Sequence, residues 1–355
     1  MGRHRLVFMH RIMKKLFLSL LVLAALTACT DNPKPSENQS NNEIPTTVAD
    51  AVRLFSDSIA MDSTRADLFV KRAQVYLANE QVGAAMIDIN KALQIDPNNV
   101  DTYLLLANVY YMLGDESNIS TTLNKAAEIN PLDSRPLVKL GELNLLQQNF
   151  NLAAAYIDKA LKVESYNPQA YFVKGMYFIT AQQDTVNALK NFQLAFEQDG
   201  NFYDAAEQIC RIYAVQNPPY TIEYLRNIQK QFPEHANARY ELALYLQSHG
   251  EPEEALLHYD TLLMAQPDNY IVLYNEAYVN FVYLHNNEIA LEYFNRVLQI
   301  NPDYLDALYN KGRVLEQMGE YSKAMDVYKQ VLTVKTNYQL AIDAINRIQN
   351  QAEQE

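Results

Sequence analysis

Few side chains in this sequence could do covalent or metal chemistry: two cysteines and six histidines among 355 residues. Cys210 occupies a position in a helical pattern where a small residue recurs, so we predict a small core residue and not a nucleophile. The histidines lack the His-Glu-x-x-His spacing of a metal site. The sequence also has no Gly-x-Ser-x-Gly elbow and no phosphate-binding loop. We therefore expect no catalytic residue, no metal ligand and no enzyme activity.

The residues before the other cysteine, Cys29, have the pattern of a removable secretion signal. Basic residues end at Lys14-Lys15, and an apolar run extends from Leu16 to Ala28. A membrane-spanning helix needs about 20 apolar residues, so this shorter run predicts a cleaved signal peptide over residues 1–28. Either Met1 or Met13 could begin that signal.

Cys29 closes the apolar run in the sequence Leu26-Thr27-Ala28-Cys29, which resembles the lipobox of bacterial lipoproteins. The resemblance implies cleavage before Cys29 and acylation of that residue with lipid, including palmitate-type chains. Several acyl chains anchor a protein far more firmly than one. The alternative is an ordinary signal peptide that happens to contain a cysteine. With lipid on Cys29, Cys210 has no cysteine partner, so no disulfide is expected despite export.

Residues 29–45 are predicted to be the lipidated cysteine and a disordered tether. The segment from Thr30 to Pro45 is polar and contains three prolines, and such a flexible chain reaches roughly 20 Å. Thr30, and not Asp, follows Cys29. By resemblance to proteobacterial lipoproteins, this favours an outer-membrane location facing the periplasm over retention in the inner membrane.

The charge of the chain excludes one class of partner. There are 42 acidic and 29 basic residues, which gives a net charge of −13 at pH 7. Such a body repels phosphate backbones, so no nucleic-acid partner is expected. No cofactor is expected apart from the covalent lipid on Cys29.

A repeat of about 34 residues fills the rest of the chain. Dipeptides that contain proline end successive amphipathic segments at matching distances, as at Asp96-Pro97 and Asn130-Pro131. Residues 46–65 predict a lone second helix over Val48–Met61, and residues 339–355 predict a capping helix with a short tail. The eight predicted repeats, which together span 66–338, are 66–99, 100–133, 134–167, 168–202, 203–235, 236–269, 270–304 and 305–338.

Three positions, or slots, counted from the first residue of each repeat predict how its helices pack. A small residue at slot eight lets two antiparallel helices approach closely, and a large apolar residue at slot twenty-four fills the space against the next pair. Gly114, Gly250 and Gly319 at slot fifteen are predicted to end the first helix in a left-handed conformation. Slot eight holds Ala73, Ala107, Gly141, Gly175, Cys210, Ala243, Ala277 and Gly312, and slot twenty-four holds Ile89, Leu123, Ile157, Phe192, Leu225, Tyr259, Phe294 and Tyr328.

These residues are similar to those of the tetratricopeptide repeat (TPR) family, and the resemblance covers nearly all of the chain after the signal. It implies an all-α, right-handed solenoid. The chain departs from the family in having no tryptophan at slot four. The fifth repeat is the most degenerate, with Ala206 at slot four and Pro218-Pro219 in its turn, so a bend or looser packing is expected there.

The resemblance also implies a concave groove lined by the first helices, chiefly through slots two, five, nine, twelve and thirteen. Large aromatic residues and methionines occupy many of these slots, and aromatic residues are favoured at interface hot spots. The alternative is that the same side chains pack sideways between adjacent first helices. The predicted groove residues are Tyr111, Met112, Phe172, Met176, Tyr240, Tyr274, Tyr278, Phe281 and Tyr309.

One known ligand of the family is not expected. The carboxylate clamp for chaperone tails needs Lys at slot five and Asn at slot nine, but Leu104 replaces the lysine although Asn108 matches. The predicted function is therefore a membrane-anchored protein-interaction scaffold of the bacterial cell envelope that binds partner segments in its groove. Two alternatives are an accessory subunit of an outer-membrane assembly or export machine, and a glycan or peptidoglycan binder. The oligomeric state stays open.

Overall fold

A computed structural model of the chain describes residues 47–352. The predicted signal peptide, Cys29 and tether all lie outside these residues. Contacts between residues divide the chain into two compact units, one ending at Ala205 and the other beginning at Ala206. Among the described residues, no helix combines the length and the apolar character needed to cross a membrane.

The first unit is built from consecutive helices. The helix predicted over Val48–Met61 is present and forms α1. The helices that follow are α2 (Ala66–Ala78), α3 (Val82–Ile95), α4 (Val100–Leu113), α5 (Glu116–Ile129), α6 (Arg135–Leu146), α7 (Phe150–Val163), α8 (Pro168–Tyr177), which continues as a π-helix over Phe178–Gln182, and α9 (Thr185–Gln198).

The division between the units falls within α10 (Tyr203–Gln216). The second unit continues with α11 (Thr221–Gln231), α12 (Ala236–Ser248), α13 (Pro252–Ala265), α14 (Tyr270–Val282), α15 (Asn287–Ile300), α16 (Leu305–Gln317), α17 (Tyr321–Val334) and α18 (Gln339–Ala352). Residues 47–352 contain no strand. In each unit, a first helix packs on the second helix that follows it, which confirms the predicted all-α fold of consecutive helix pairs.

Local sequence explains where many of these helices begin. The side chains of Asn99, Asp115, Asn167, Asp184 and Asn269 accept a hydrogen bond from a backbone N–H in the first turn of the helix that follows. Such caps satisfy donors that the helix itself leaves unpaired, and each contributes about 1 kcal/mol.

The turn after the first helix is left-handed, as the glycines at slot fifteen predict. Gly114 has φ +72°, Gly250 has φ +89° and Gly319 has φ +78°. Glu80 and Gln148 adopt the same conformation at slot fifteen without being glycine, with φ +59° and +60°. The repeat therefore imposes this backbone shape even where the sequence gives no glycine signal.

The two 35-residue repeats accommodate their extra residue in this turn. The left-handed residue moves to slot sixteen, at Gln183 and His285. The closing hydrogen bond spans six residues there, from Asn286 N–H to the Asn280 carbonyl at 2.7 Å. In an ordinary repeat it spans five, from Asp115 N–H to the Tyr110 carbonyl at 2.9 Å. In the fourth repeat the wider turn follows the π-helix.

The left-handed turns predict opposite effects for two substitutions in the first unit. We expect Gly114→Ala to lower the free energy of unfolding by about 1 kcal/mol, because a Cβ at positive φ is strained even where no atom lies within 4 Å. Gln148→Gly should raise it by up to about 1 kcal/mol, since the same strain is relieved. Urea unfolding followed by circular dichroism measures both, and a change of the same sign in the two variants would contradict this account.

The small-to-large packing between slots eight and twenty-four is confirmed. All eight residues at slot twenty-four are buried. A Cβ built on Gly175 would come within 2.5 Å of the Phe192 ring, and one built on Gly141 would come within 3.0 Å of Ile157. Gly312 stands in the same relation to Tyr328. The buried phenols have partners, since Tyr259 donates a hydrogen bond to Gln247 at 2.8 Å.

Cys210 is a buried core residue, as predicted from its place at slot eight. Burial, together with the nearby charges of Glu241 and Glu207, raises the pKa of its thiol to about 12. The thiolate is the reactive form of cysteine, so this side chain is unreactive at neutral pH.

Candidate functional site: the first-helix face

The first-helix face is the surface that carries slots five, nine and twelve of the first helices. In the second unit, three of its tyrosines lie at slot five: Tyr240, Tyr274 and Tyr309. The Tyr240 hydroxyl accepts a hydrogen bond of 2.9 Å from Asn275, and the Tyr274 hydroxyl accepts one of 2.9 Å from Asn310. Each bond joins one first helix to the next, so these half-buried tyrosines also stabilise the array. This is the sideways packing that the sequence left open as an alternative.

Aromatic rings surround Tyr274. Its ring centroid lies 5.2 Å from that of Tyr304, 5.8 Å from Phe294 and 6.2 Å from Tyr278. Tyr278 in turn lies 6.2 Å from Tyr283, which is 38% exposed. Tyr283 is therefore the most exposed ring of this cluster, and Tyr274 and Tyr278 are both half-buried.

Three of the predicted groove residues are buried, so the prediction that they are exposed for docking is wrong. Phe172 is 0% exposed, Met176 is 2% and Phe281 is 5%. Phe172 packs between Phe192 and Phe202, with ring centroids 5.4 Å and 5.2 Å away. Phe172 at slot five is therefore covered by neighbouring side chains, so an aromatic residue at this slot does not by itself mark a free surface.

Phe281 is covered by a charged side chain. The guanidinium carbon of Arg313 lies 4.8 Å from the centre of its ring. Its ring therefore supports an arginine at the surface instead of contacting a partner directly.

Tyr111 and Met112 lie half-buried on α4, in the first unit. Burial raises the pKa of Tyr111 to about 12, with a smaller effect of the Glu142 charge. Glu142 is itself buried and accepts hydrogen bonds from Lys139 at 2.9 Å and from Gln169 at 2.7 Å. In the sequence, Lys139 and Glu142 have the spacing of an ordinary surface pair, so nothing signalled this buried polar group.

A cleft of about 500 Å³ opens at the C-terminal end of the first-helix face. It combines two predicted residues, Phe281 and Tyr309, with residues that the sequence analysis did not select. The cap helix α18 supplies one side of it. Its lining consists of Phe281, Tyr309, Arg313, Glu316, Gln317, Tyr321, Arg347 and Gln351.

Two arginines in this cleft have different surroundings. Arg347 donates two hydrogen bonds of 2.8 Å to the two carboxylate oxygens of Glu316, which also accepts one of 2.9 Å from Tyr328. Burial alone would raise the pKa of Glu316, but the bonds from Arg347 and Tyr328 hold it below its ordinary value. Arg313 instead donates a hydrogen bond of 2.9 Å to the neutral side chain of Asn310.

The register itself could have revealed these residues. Arg313 and Glu316 occupy slots nine and twelve of the eighth repeat, and continuing the count into the cap helix places Arg347 at slot nine. Only aromatic residues and methionines at these slots were predicted to line the groove, so the charged residues at the same slots were missed. Within residues 47–352, no group of three or more His, Cys, Asp or Glu side chains could hold a metal ion.

Comparison with family models identifies the repeat. Residues 73–114 match a TPR repeat model, and residues 222–270 and 285–346 match two tetratricopeptide repeat models. The chain contains tetratricopeptide repeats. The three matched stretches include most of the first predicted repeat and all of the sixth and the eighth, together with parts of their neighbours.

Curated relatives share TPR-like sequence over most of this chain. Superkiller protein 3 of Schizosaccharomyces pombe is 24% identical over 321 residues, which cover 84% of this chain and 22% of the relative. The mitochondrial import receptor subunit TOM70 of Rattus norvegicus is 22% identical over 282 residues, which cover 74% of this chain and 45% of the relative. This chain thus spans less than half the length of either relative.

Solved structures share the TPR fold. The C-terminal part of a TPR repeat-containing protein from Cytophaga hutchinsonii has a TM-score of 0.55 at 16% identity, covering 68% of this chain and 98% of that one. A chain of the APC/C hetero-tetramer Cut9–Hcn1 has a TM-score of 0.53 at 16% identity, covering 85% of this chain and 60% of that one. At this level of identity the likeness concerns the fold alone.

Proposed function

We propose that this protein is a non-catalytic TPR scaffold that binds segments of partner proteins on the first-helix face of its second unit. The observation that carries the proposal is a set of three partly exposed aromatic side chains, Tyr278, Tyr283 and Tyr309, of which Tyr309 lines an open cleft. Aromatic side chains provide much of the binding energy at protein interfaces when they fill or form desolvated pockets.

Rigidity supports binding at this face. The hydrogen bonds from Asn275 to Tyr240 and from Asn310 to Tyr274 fix neighbouring first helices against each other. A surface already held in its bound shape loses little conformational entropy when a partner docks, so more of the contact energy appears as affinity. The partner segment then needs no chemistry beyond complementary contacts.

The proposal places this scaffold in the bacterial cell envelope. Its support is the sequence of residues 1–45, which has a signal-like apolar run, a lipobox-like segment ending in Cys29 and a polar tether. In this arrangement, acyl chains on Cys29 anchor the protein in a membrane, with the outer membrane favoured and the repeats facing the periplasm. The partners are then other envelope proteins.

Photo-crosslinking in intact cells tests binding and anchoring together. A photoreactive phenylalanine analogue replaces Tyr278 or Tyr283, and a matched control replaces Leu257, which is exposed on the second helix α13. We expect protein adducts from the first two positions at several times the yield from the control. With Cys29→Ala added, the protein should no longer incorporate a labelled palmitate analogue supplied to the cells, whereas the wild type should.

Other outcomes would contradict specific parts of this proposal. Equal adduct yields from all three positions would contradict the proposal that partners bind on the first-helix face. Adducts with cell-wall glycan in place of protein would favour the glycan-binding alternative. Incorporation of the labelled palmitate analogue after Cys29→Ala would remove Cys29 as the lipid anchor.

A further inference from the structure

We propose that the cleft between α16 and the cap helix α18 binds an acidic side chain, Asp or Glu, of an extended partner segment through Arg313. This inference rests on the proposed function, because it names the chemistry of the segment that docks there. It concerns one residue that neither the repeat pattern nor the packing of the helices requires.

Arg313 forms no salt bridge within residues 47–352, although its charge contributes, after the bonds from Arg347 and Tyr328, to the lowered pKa of Glu316. Its guanidinium donates to Asn310 Oδ1 at 2.9 Å and stacks on the Phe281 ring at 4.8 Å. A cation stacked on an aromatic face keeps its charge and is held in place by the ring. Arg347, the other arginine of the cleft, differs because its charge is balanced by Glu316, to which it donates two hydrogen bonds.

The local charge of the cleft is therefore positive in a chain whose net charge is −13. Two of its charged residues, Arg347 and Glu316, compensate each other, and Arg313 is left as the excess. A planar guanidinium with free donors matches a carboxylate, which can accept two parallel hydrogen bonds from it. The acidic body repels an extended polyanion such as a nucleic acid, so a single carboxylate within a peptide fits better.

The other residues that line the cleft determine which side chain of the partner segment can lie next to that carboxylate. Tyr309 lies half-buried, and Tyr321 is 47% exposed at the rim. Their rings offer apolar contact to a large side chain next to the acidic one, while Gln317 and Gln351 offer amides to a peptide backbone. A volume of about 500 Å³ is within the range of ligand-binding clefts. The predicted recognition element is an acidic residue adjacent to an aromatic or aliphatic one.

Selection from a random-peptide library tests this inference directly. The full chain, purified in detergent, is used to select binding peptides, and fluorescence polarisation measures their affinity. We expect the selected peptides to share an Asp or Glu beside a large apolar residue. Arg313→Gln should weaken their binding by about tenfold or more, as expected when one partner of a charge-assisted hydrogen bond is removed. Because the substitution also removes the contact with Phe281 and the hydrogen bond to Asn310, the midpoint of thermal unfolding should fall by no more than a few degrees.

Two controls isolate the role of the Arg313 charge. Arg296 also stacks on a tyrosine, Tyr293, at 5.2 Å but lies outside the cleft, so Arg296→Gln should leave peptide affinity unchanged. The second control exchanges the charges. The Arg313→Glu variant should bind the acidic peptides weakly and should bind analogues with Lys in place of the acidic residue more tightly than the wild type does. This gain would show that a folding defect does not explain the loss.

The outcomes separate this inference from the proposed function. Peptides that bind through Tyr278 but are insensitive to Arg313→Gln would overturn the inference and leave the scaffold intact. Loss of binding when the peptide C-terminus is amidated would mean that a terminal carboxylate, and not an acidic side chain, is bound, which also overturns it. If no peptide binds the wild-type protein, peptide docking on this face fails and the inference fails with it.

Discussion

Gly175→Ala should lower the stability of the first unit by about 1–3 kcal/mol, although it adds a single methyl group. The new Cβ would lie 2.5, 2.7 and 3.0 Å from three carbon atoms of the Phe192 ring. That ring is fully buried and packs against Phe172, so it has no free space into which to move. The helix pair must therefore separate or the ring must leave its preferred rotamer.

Hydrogen exchange of α8 and α9 in the full chain measures this effect, because repeat proteins open locally before they unfold as a whole. The matched control is Gly83→Ala, at a helical glycine where an added Cβ meets no atom within 4 Å. Since alanine favours helix over glycine, the control should stabilise its helix by about 0.5–1 kcal/mol. Unchanged exchange in Gly175→Ala would mean that the close approach at slot eight is not needed.

Glu276→Gln should raise the stability of the second unit at alkaline pH by roughly 3–5 kcal/mol. Glu276 lies on α14 and is 2% exposed. Burial raises the pKa of its carboxyl to about 8, and a hydrogen bond and the charge of Asp260 also raise it, whereas Tyr293 and Arg296 oppose the shift. At neutral pH the folded protein therefore keeps this carboxyl protonated, and the unfolded chain does not.

The sign of the pH dependence follows from this difference in bound protons. Stability from the protonated Glu276 is fully present below its unfolded pKa of about 4.3. It is lost as the pH rises from there to about 8, at about 1.4 kcal/mol per pH unit. In Glu276→Gln the group is neutral at every pH, so the difference in stability from the wild type should grow with pH and then level off above about 8.

Denaturant unfolding of both proteins between about pH 5 and pH 9 measures this difference. The matched control is Glu316→Gln. The pKa of Glu316 is lowered in the folded protein, so this carboxylate contributes stability above its unfolded pKa, and the control should be destabilised in the same range. A difference between Glu276→Gln and the wild type that does not vary with pH would show that Glu276 is ionised in the folded state.

The candidate site was partly predictable. The repeat count placed Tyr240, Tyr274, Tyr278 and Tyr309 on one face, and the structure brings Tyr274 and Tyr278 together there. The repeat count could not show that Phe172 is buried against two other phenylalanines whereas Tyr278 is partly exposed. Slot number fixes the direction of a side chain on its own helix, whereas exposure depends on which neighbouring side chain covers it.

The charged part of the site shows the same limit. Arg313 and Arg347 are both arginines at slot nine, and nothing local distinguishes them. Only the packing of α18 brings Arg347 to Glu316 and leaves Arg313 on Phe281. Likewise, burial and Asp260 raise the pKa of Glu276 while Tyr293 opposes the shift, and Asp260 and Tyr293 come from two other helices.

The sequence by itself determined the helical repeat, its register and the small-to-large contact between slots eight and twenty-four. Each of these depends on residues fewer than 34 positions apart and recurs in every copy, so periodicity makes them visible. Only the tertiary structure decided which aromatic rings are covered, which arginine keeps its charge uncompensated and which carboxyl is forced to hold a proton. These properties depend on the low-dielectric surroundings created when several helices meet, and no single helix carries that information.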